Sequence, residues 1–468
     1  MKISCFIIVV IISFHNIYAQ EMLGISTGNY AGTMSLYQNP ALIADTKLYL
    51  DINVLSSHLF FHNNYIYYDK KNNNLKTLID SSNSVSSIRN ILGEYNDGKL
   101  KNGYFNLRIP GPSAMLSIGR QSFAFSTSFR AVGSVRQVPF LVSHLGFFGI
   151  TDNEKGMYDN FTGKEFKLNG IAWNEIGLSY AYVLGSKQYK QLSAGITLKG
   201  LLGTAGGYYN NEIINLTEKD DSTLVDINFT GEYAISMPVN YGENKSSLLF
   251  NPTGFGLSLD IGILLQENIK THSFSFHSIS EQKYYGYKYR LGISIIDFGF
   301  IRFKKNSDKL FFNNVTTNWT SINNIDFDNV KQYNRSLSYI FYNDSTLAIQ
   351  DNKFTIWLPT VISTQFDYHY YKQFYFSAVI FQGIPMFKNQ VRRPSLFSFI
   401  PRFESKNYGI FLPISLYDFK YPHLGLAISV EYVTIGTDKI RISNKKINSS
   451  DFYFSIKIPF VKNQAANF

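Results

Sequence analysis

The feature that most constrains this chain is an alternation of apolar residues with small or polar ones at a period of two. In GFGLSLDIGI, residues 254–263, every second side chain is Phe, Leu or Ile, and the others are Gly, Ser or Asp. This period places the apolar side chains on one face of a β-strand. The pattern recurs in residues 175–182, 192–199, 287–295, 423–432 and 451–460. The sequence therefore predicts an all-β protein.

The second face of these strands indicates which kind of β protein it is. A soluble sandwich turns a face rich in Lys, Glu and Thr toward water, whereas here Gly, Ala and Ser dominate and charges are isolated. The segments have about the nine to eleven residues that a tilted strand needs to cross a bilayer. Similar segments from Lys47 to Phe460 predict a closed antiparallel transmembrane β-barrel of about fourteen strands, with short turns toward the periplasm and long loops outside.

Composition agrees with a membrane protein that has no transmembrane helices. Aromatic residues make up 16% of the 468 residues and charged residues only 17%. Beyond the first twenty residues no run of eighteen apolar residues occurs, so strands rather than helices would cross the membrane. The net charge of +10 predicts contact with outer-membrane lipid and anionic lipopolysaccharide, and no nucleic-acid partner.

The N-terminus carries the marks of export. Lys2 precedes a twelve-residue apolar run, and Ala19 supplies a small residue for cleavage. We predict a signal peptide over 1–19, an N-terminal plug segment over 20–45 and an outer-membrane β-barrel over 46–468. The only cysteine, Cys5, lies within the predicted signal peptide, so the mature chain would contain no thiol and no disulfide.

Charged residues on the small-residue face of the strands are the candidate functional residues, because a charge in a barrel lumen must be paired, hydrated or functional. Two interpretations stay open: an ion-pair network that fills the lumen, and a selectivity surface for a polar or anionic solute. The parity of the alternation, extended to the IPRFES string, places these residues in the lumen: Asp51, Glu175, Lys199, Asp260, Lys288, Arg290, Arg402, Glu431 and Lys457.

Enzymatic chemistry finds no support in the sequence. Few outer-membrane barrels are hydrolases, and those need a His with Ser or Asp partners. His277 and Ser278 are adjacent and so face opposite sides of a strand, and His369 has no nucleophile beside it. No metal-ligand spacing or phosphate-binding glycine motif occurs. We predict a protein that is not an enzyme, with no catalytic residues, no metal and no cofactor.

Several strings together resemble one family. They are NYAGTMSLYQNPALIAD, GPSAMLSIGRQSFAFSTSFR, AWNEIGLSYAYVL, ITLKGLLGTAGGYY, YRLGISIIDFGFIRF, LPTVISTQFDY, PRFESKNYGIFLPISL and IGTDKI. They resemble an uncharacterised outer-membrane β-barrel family of Gram-negative bacteria, a domain of unknown function. That family is distantly similar to long-chain fatty-acid transporter barrels and to barrels associated with type IX secretion. The resemblance implies a fold and a compartment, and it carries no catalytic or binding residues.

The first of these strings contains an Asn39-Pro40-Ala41 step. It looks like a step that precedes the first strand in the fatty-acid transporter group, where the N-terminal segment forms a plug inside the barrel. The small residues and Pro40 suit a compact turn and short helix, with Asn29 and Asn39 placed to hydrogen-bond the wall.

Two functions follow as alternatives. The leading hypothesis is a porin-like protein that passes or binds a small solute, amphipathic ones included, through a partly plugged lumen. The other is a sealed barrel that anchors or docks an envelope complex for secretion or adhesion.

Overall fold

The computed structural model describes residues 21–44, 46–69, 91–149, 160–187, 189–218, 225–238, 251–269, 282–284, 286–318, 330–440 and 446–464. The predicted signal peptide, Gln20 and Asp45 lie outside these residues. In the described part the chain forms a closed antiparallel β-barrel of fourteen wall strands, as predicted. The barrel closes because the first strand pairs with the last on one side and with its successor on the other.

Strands are numbered in chain order, and some wall positions consist of two consecutive short strands. Around the barrel the wall positions are β1 (Leu48–Asn63), β4 with β5 (Lys101–Pro110, Ser113–Ile118), β6 (Gln121–Val138), β8 (Phe166–Lys187), β9 (Lys190–Glu218), β11 (Gly254–Asn268), β13 (Tyr287–Phe303), β16 with β17 (Phe354–Trp357, Val361–Tyr371), β18 (Phe374–Gly383), β19 (Leu396–Glu404), β20 with β21 (Tyr408–Phe411, Ile414–Tyr417), β22 with β23 (Tyr421–Leu424, Leu426–Val430), β24 (Val433–Thr437) and β26 (Ser449–Val461).

The remaining strands extend or flank the wall. They are β2 (Ile66–Asp69), β3 (Leu92–Glu94), β7 (Phe161–Gly163), β10 (Val225–Ser236), β12 (Lys283–Tyr284), β14 (Ser307–Asn318), β15 (Ile349–Asp351), β25 (Lys446–Ile447) and β27 (Asn463–Gln464). Strand β9 is long enough to pair with β11 along its first half and with β10 along its second, and β10 pairs in turn with β14. Where β9, β10 and β14 pair, the wall therefore extends beyond the ends of the adjacent wall strands.

Five short connections mark one end of the barrel, which we call the short-turn end: they join β5 to β6, β8 to β9, β17 to β18, β19 to β20 and β23 to β24. One of them is a tight hairpin within the string GPSAMLSIGRQSFAFSTSFR: β5 ends at Ile118, Gly119 has a positive φ of 58° and β6 begins at Gln121. Most longer connections lie at the opposite, long-loop end. Two of these contain helices, Phe140–Phe147 and Val330–Tyr342.

Burial in this barrel is the reverse of that in a soluble protein. On β8 and β9 the apolar Leu178 and Leu198 are 64% and 56% exposed, whereas the neighbouring Ser179 and Lys199 are 5% and 4% exposed. The apolar side chains form a belt around the outside, and the small and charged ones face inward, as in a barrel surrounded by lipid. No helix among the described residues has the length and hydropathy needed to cross a bilayer.

Candidate functional site: the occupied lumen

The lumen is occupied by the N-terminal segment, which we define as residues 21–44. It folds into an α-helix over Leu23–Ser26 and two 3₁₀ helices, Gly32–Tyr37 and Pro40–Ile43. The last helix is specified locally by Asn39 and Pro40. The Asn39 Oδ1 accepts a hydrogen bond from Ala41 N at 2.8 Å as an N-cap, and Pro40 takes the first helical position, where its missing N–H is not needed.

Polar contacts connect this segment to strands on different sides of the barrel. The backbone N–H and hydroxyl of Thr33 donate to Asp51 of β1 at 2.8 and 3.0 Å. The Asn29 amide donates to Glu404 of β19 at 2.9 Å, and the Asn39 amide donates to the carbonyl of Ile263 in β11 at 3.0 Å. A segment that reaches three such distant strands lies across the lumen.

Apolar contacts lead to the same placement. Met22, Leu23, Ile25, Met34 and Tyr37 belong to a buried cluster with residues of β13, β17, β18, β19, β20, β23 and β26. A second cluster joins Leu36, Ile43 and Ala44 of the segment to β5, β6 and β8. The segment therefore packs against two different sides of the wall at once.

Two wall glycines make room for the Asn39-Pro40 turn. Gly195 of β9 and Gly262 of β11 are direct cross-strand partners. A Cβ added at Gly195 would lie 2.4 Å from the carbonyl carbon of Pro40, and one at Gly262 would lie 2.0 Å from Asn39 Oδ1. We call this pair the glycine seat, because any larger side chain there would occupy space that the segment now fills.

The wall beside the segment carries a set of buried charges, the central network of Arg130, Glu175, Lys199, Asp260 and Asp297. The guanidinium of Arg130 donates to both carboxylate oxygens of Asp297 at 2.8 Å. The Lys199 ammonium lies 2.7 Å from Asp260 and 2.9 Å from Asp297. Glu175 is 3.5 Å from Arg130. The wall strands thus neutralise most of these charges among themselves.

Near the short-turn end the segment meets a second group of charges. Arg402 lies 2.8 Å from Asp367 and 3.1 Å from Glu404. Arg290 donates to the Asn29 side-chain oxygen at 3.2 Å. Lys457 donates to the carbonyls of Tyr30 and Ala31, residues of the N-terminal segment. These contacts hold the middle of the segment to the wall.

At the other end of the segment a buried carboxyl receives its first helix. Asp438, just after β24, accepts hydrogen bonds from Leu23 N at 3.1 Å and from the Tyr453 hydroxyl at 2.8 Å. Burial raises the pKa of Asp438 to about 7. Glu21 pairs with Arg393 of the loop between β18 and β19.

Between segment and wall remains an internal cavity of about 30 Å³, bordered by Asn29 among others, which suits a water molecule.

Seven of the nine residues that the sequence places in the lumen are buried there: Asp51, Glu175, Lys199, Asp260, Arg290, Arg402 and Lys457. The other two are placed elsewhere. Lys288 is an extra residue at a bulge between the pairs Tyr289–Glu267 and Tyr287–Asn268, and its side chain is 61% exposed. Glu431 lies in the turn after β23, which ends at Val430, and is exposed.

The segment residues singled out in the sequence, Asn29, Asn39 and Pro40, are all buried.

Sequence reasoning missed two central residues of the network. Arg130 has a readable signal, since it shares the parity of Ser122 and Ser128 on the inward face of β6. Asp297 has none, because a register shift opposite Asp260 and a positive φ of 58° turn it to the face opposite to the one parity predicts.

Solved structures resemble the chain at low identity. The TodX deltaS2S3 mutant monoaromatic hydrocarbon channel matches at 7% identity, 95% of this chain, 99% of that chain and a TM-score of 0.43. The toluene transporter TbuX of Ralstonia pickettii matches at 9% identity over 96% of this chain and 100% of that chain, with a TM-score of 0.32. The outer membrane protease OmpT of Escherichia coli matches at 6% identity over 88% of this chain and 95% of that chain, with a TM-score of 0.22. These likenesses assign no substrate and no activity to this chain.

No curated protein matches the chain. The model of one protein family, described as a family of unknown function (DUF5723), matches residues 40–438. That match begins at Pro40, in the turn above the glycine seat, and ends at Asp438, the carboxyl that receives the first helix of the segment. It covers most of the chain. The protein is therefore a member of the DUF5723 family, as the resemblance of its sequence strings indicates.

Proposed function

We propose that this outer-membrane barrel is a gated passage for a small polar or amphipathic solute, and that the N-terminal segment is its gate. One observation carries the proposal: the lumen is filled by a separate stretch of chain that continues into β1 and meets the rest of the wall only by noncovalent contacts. A segment held in this way can leave the lumen without any strand of the wall unpairing.

The size of the barrel supports this interpretation. Eight strands enclose a space that wall side chains just fill, whereas barrels of about sixteen to eighteen strands leave an aqueous channel. Fourteen strands lie between these limits. A lumen of this width needs additional chain to close it, and withdrawal of that chain would leave an opening.

The distribution of charge supports it as well. Arg130 with Asp297, and Lys199 with Asp260, are pairs within the wall. They stay paired when the segment leaves, so opening strands neither of these two wall pairs. The opened lumen would present both signs of charge, which suits a polar or zwitterionic solute better than a hydrocarbon.

A sealed barrel that serves as an anchor or docking partner is the second candidate. The small size of the cavity beside Asn29 favours it, because that space between the described residues of segment and wall holds little more than water. The two functions differ in whether the segment ever leaves the lumen.

The glycine seat offers a test that keeps the segment in the chain and disturbs only its seat. Gly195→Val puts a branched side chain where the Pro40 backbone lies, and Gly200→Val is the matched control on the same strand, since a Cβ at Gly200 meets nothing within 4 Å. Each purified protein is shown to be folded by its heat-modifiable gel shift and is then measured in planar bilayers. We expect frequent openings for Gly195→Val and few for the control. Equal silence of the folded variants would favour the sealed barrel.

A further inference from the structure

Lys47, the residue directly before β1, has an unusual environment for a cation. Its ammonium lies 5.1 Å from the ring centroid of Tyr30, 5.5 Å from that of Tyr284 and 5.2 Å from that of Tyr375. It also donates a hydrogen bond to the Tyr375 hydroxyl at 3.1 Å. We call these three tyrosines the tyrosine cage.

The cage is built from separate parts of the fold. Tyr30 belongs to the N-terminal segment, Tyr284 to the short strand β12 and Tyr375 to the wall strand β18. Tyr284 and Tyr375 are 6% and 4% exposed and form one buried cluster with Tyr287. Two of the three rings are therefore fixed by packing that does not depend on Lys47.

Two tyrosine rings and the Tyr375 hydroxyl, rather than a carboxylate, hold this ammonium. Among the described residues no carboxylate oxygen lies within the 4.0 Å of an ion pair from Lys47 Nζ, although Glu404 and Asp367 act on it from a greater distance. Several aromatic rings around one cation are the arrangement by which proteins recognise quaternary ammonium groups.

We propose that the tyrosine cage is a binding site for organic ammonium compounds of the choline type, and that Lys47 fills it in this state as an internal ligand. When Lys47 is removed or displaced, the cage takes an ammonium group from solution. The proposal depends on the cage alone, and it holds whether or not the lumen conducts.

The charge balance around the cage fits a single cation. Facing Lys47 are the carboxylates of Glu404 on β19 and Asp367 on β17, and the guanidiniums of Arg402 on β19 and Arg290 on β13. These four charges cancel, so the ammonium in the cage is the one excess charge of the group. A neutral molecule of the same shape would lack the attraction of the ring faces.

Lys47 is also an easily displaced occupant. Burial, opposed by Glu404 and reinforced by Arg290 and Arg402, lowers the pKa of Lys47 to about 8. Burial raises the pKa of Tyr30, so that ring keeps its proton over the range in which Lys47 loses one. Above about pH 8 Lys47 therefore loses its charge, and with it the attraction to the rings, whereas a quaternary ammonium keeps its charge at every pH.

The test uses Lys47→Ala, which empties the cage, and Lys47→Met, which fills it with an uncharged chain of similar length. Each folded protein is titrated with choline and with its neutral isostere 3,3-dimethylbutan-1-ol, and the midpoint of the heat-modifiable gel shift is recorded. We expect choline to raise the midpoint of Lys47→Ala by about 1–2 °C near tenfold saturation. The isostere should have no effect on any variant, and choline none on Lys47→Met. Equal effects of choline and isostere, or no response of Lys47→Ala, would overturn the proposal.

Two further measurements keep the proposal testable if Lys47→Ala does not fold. In the wild-type chain choline should shift the midpoint more at about pH 9 than at about pH 6, because the neutral lysine amine, unlike the apolar side chain of the methionine variant, gains hydrogen bonds to water when it leaves the cage. Tyr284→Phe should keep that response, and Tyr284→Leu should lose it. Glycerophosphocholine carries the same ammonium as a lipid headgroup, so a larger shift with it than with choline would identify a lipid as the source. A response of the wild type to choline that does not change with pH would contradict the proposal.

Discussion

Removal of the Asn39 side chain should release the N-terminal segment from the lumen without disturbing any strand. In Asn39→Ala the segment loses the N-cap of its last helix, worth about 0.5–2 kcal/mol. It also loses the donor to the Ile263 carbonyl, worth about 0.5–1.5 kcal/mol. The two together amount to about 2 kcal/mol of docking free energy, which multiplies the fraction of undocked segment about 30-fold.

The chain offers a direct assay, because its only cysteine is Cys5 in the predicted signal peptide. Ser35→Cys places a thiol on the segment at a position that is 6% exposed, so it reacts with a maleimide only when the segment undocks. The reaction rate then reports the undocked fraction, provided that redocking is faster than labelling. Asn39→Ala should raise that rate about 30-fold in the reporter background.

Thr27→Ala is the control for Asn39→Ala. It also removes a side-chain hydrogen bond of the segment, but the bond goes to Leu23 O within the segment itself. Its labelling rate should stay within about threefold of the reporter alone. Equal acceleration by both substitutions would refute the inference that Asn39, through its cap and its contact with the wall, holds the segment more strongly than a hydrogen bond within the first helix does.

Three further predictions concern the barrel itself. Lys199→Met should lower the free energy of unfolding by about 3–5 kcal/mol in urea titrations in lipid, because Asp260 and Asp297 both lose the ammonium that pairs with them. Combining Lys199→Met with Asp260→Asn should recover part of this loss. Leu178→Arg on the outer belt should cost about 2–4 kcal/mol in the same assay, far more than Leu178→Ala, whereas a barrel without lipid around it would tolerate both. Because burial raises the pKa of Asp438 from about 3.8 to about 7, its contribution to stability is fully present below about pH 4 and is lost as the pH rises through about 7. The loss is on the order of 4 kcal/mol, so Asp438→Asn should flatten the pH dependence of the urea midpoint between about pH 4 and pH 8, and an unchanged slope would contradict this assignment.

Much of the barrel is legible in the sequence, because strand parity is a local property. Each residue points to the side opposite its covalent neighbours, so the alternation around Asp260 and Lys199 predicts an inward face before any strand partner is known. The same rule fails at Lys288 and Asp297, where bulges add a residue to one strand only. A bulge depends on how two strands meet, and neither strand shows it alone.

The sequence by itself determined the strand period, the closed barrel as the way to satisfy backbone groups in lipid, and the Asn39-Pro40 turn, which is capped by its own side chain. Only the tertiary structure decided where that turn lies. Its position depends on Gly195 and Gly262, which are distant in sequence and become partners when β9 and β11 pair in one register. The tyrosine cage has the same origin, since its rings meet only when the barrel closes around the segment. Local chemistry fixes which way a side chain points, and the closure of the sheet fixes what it meets.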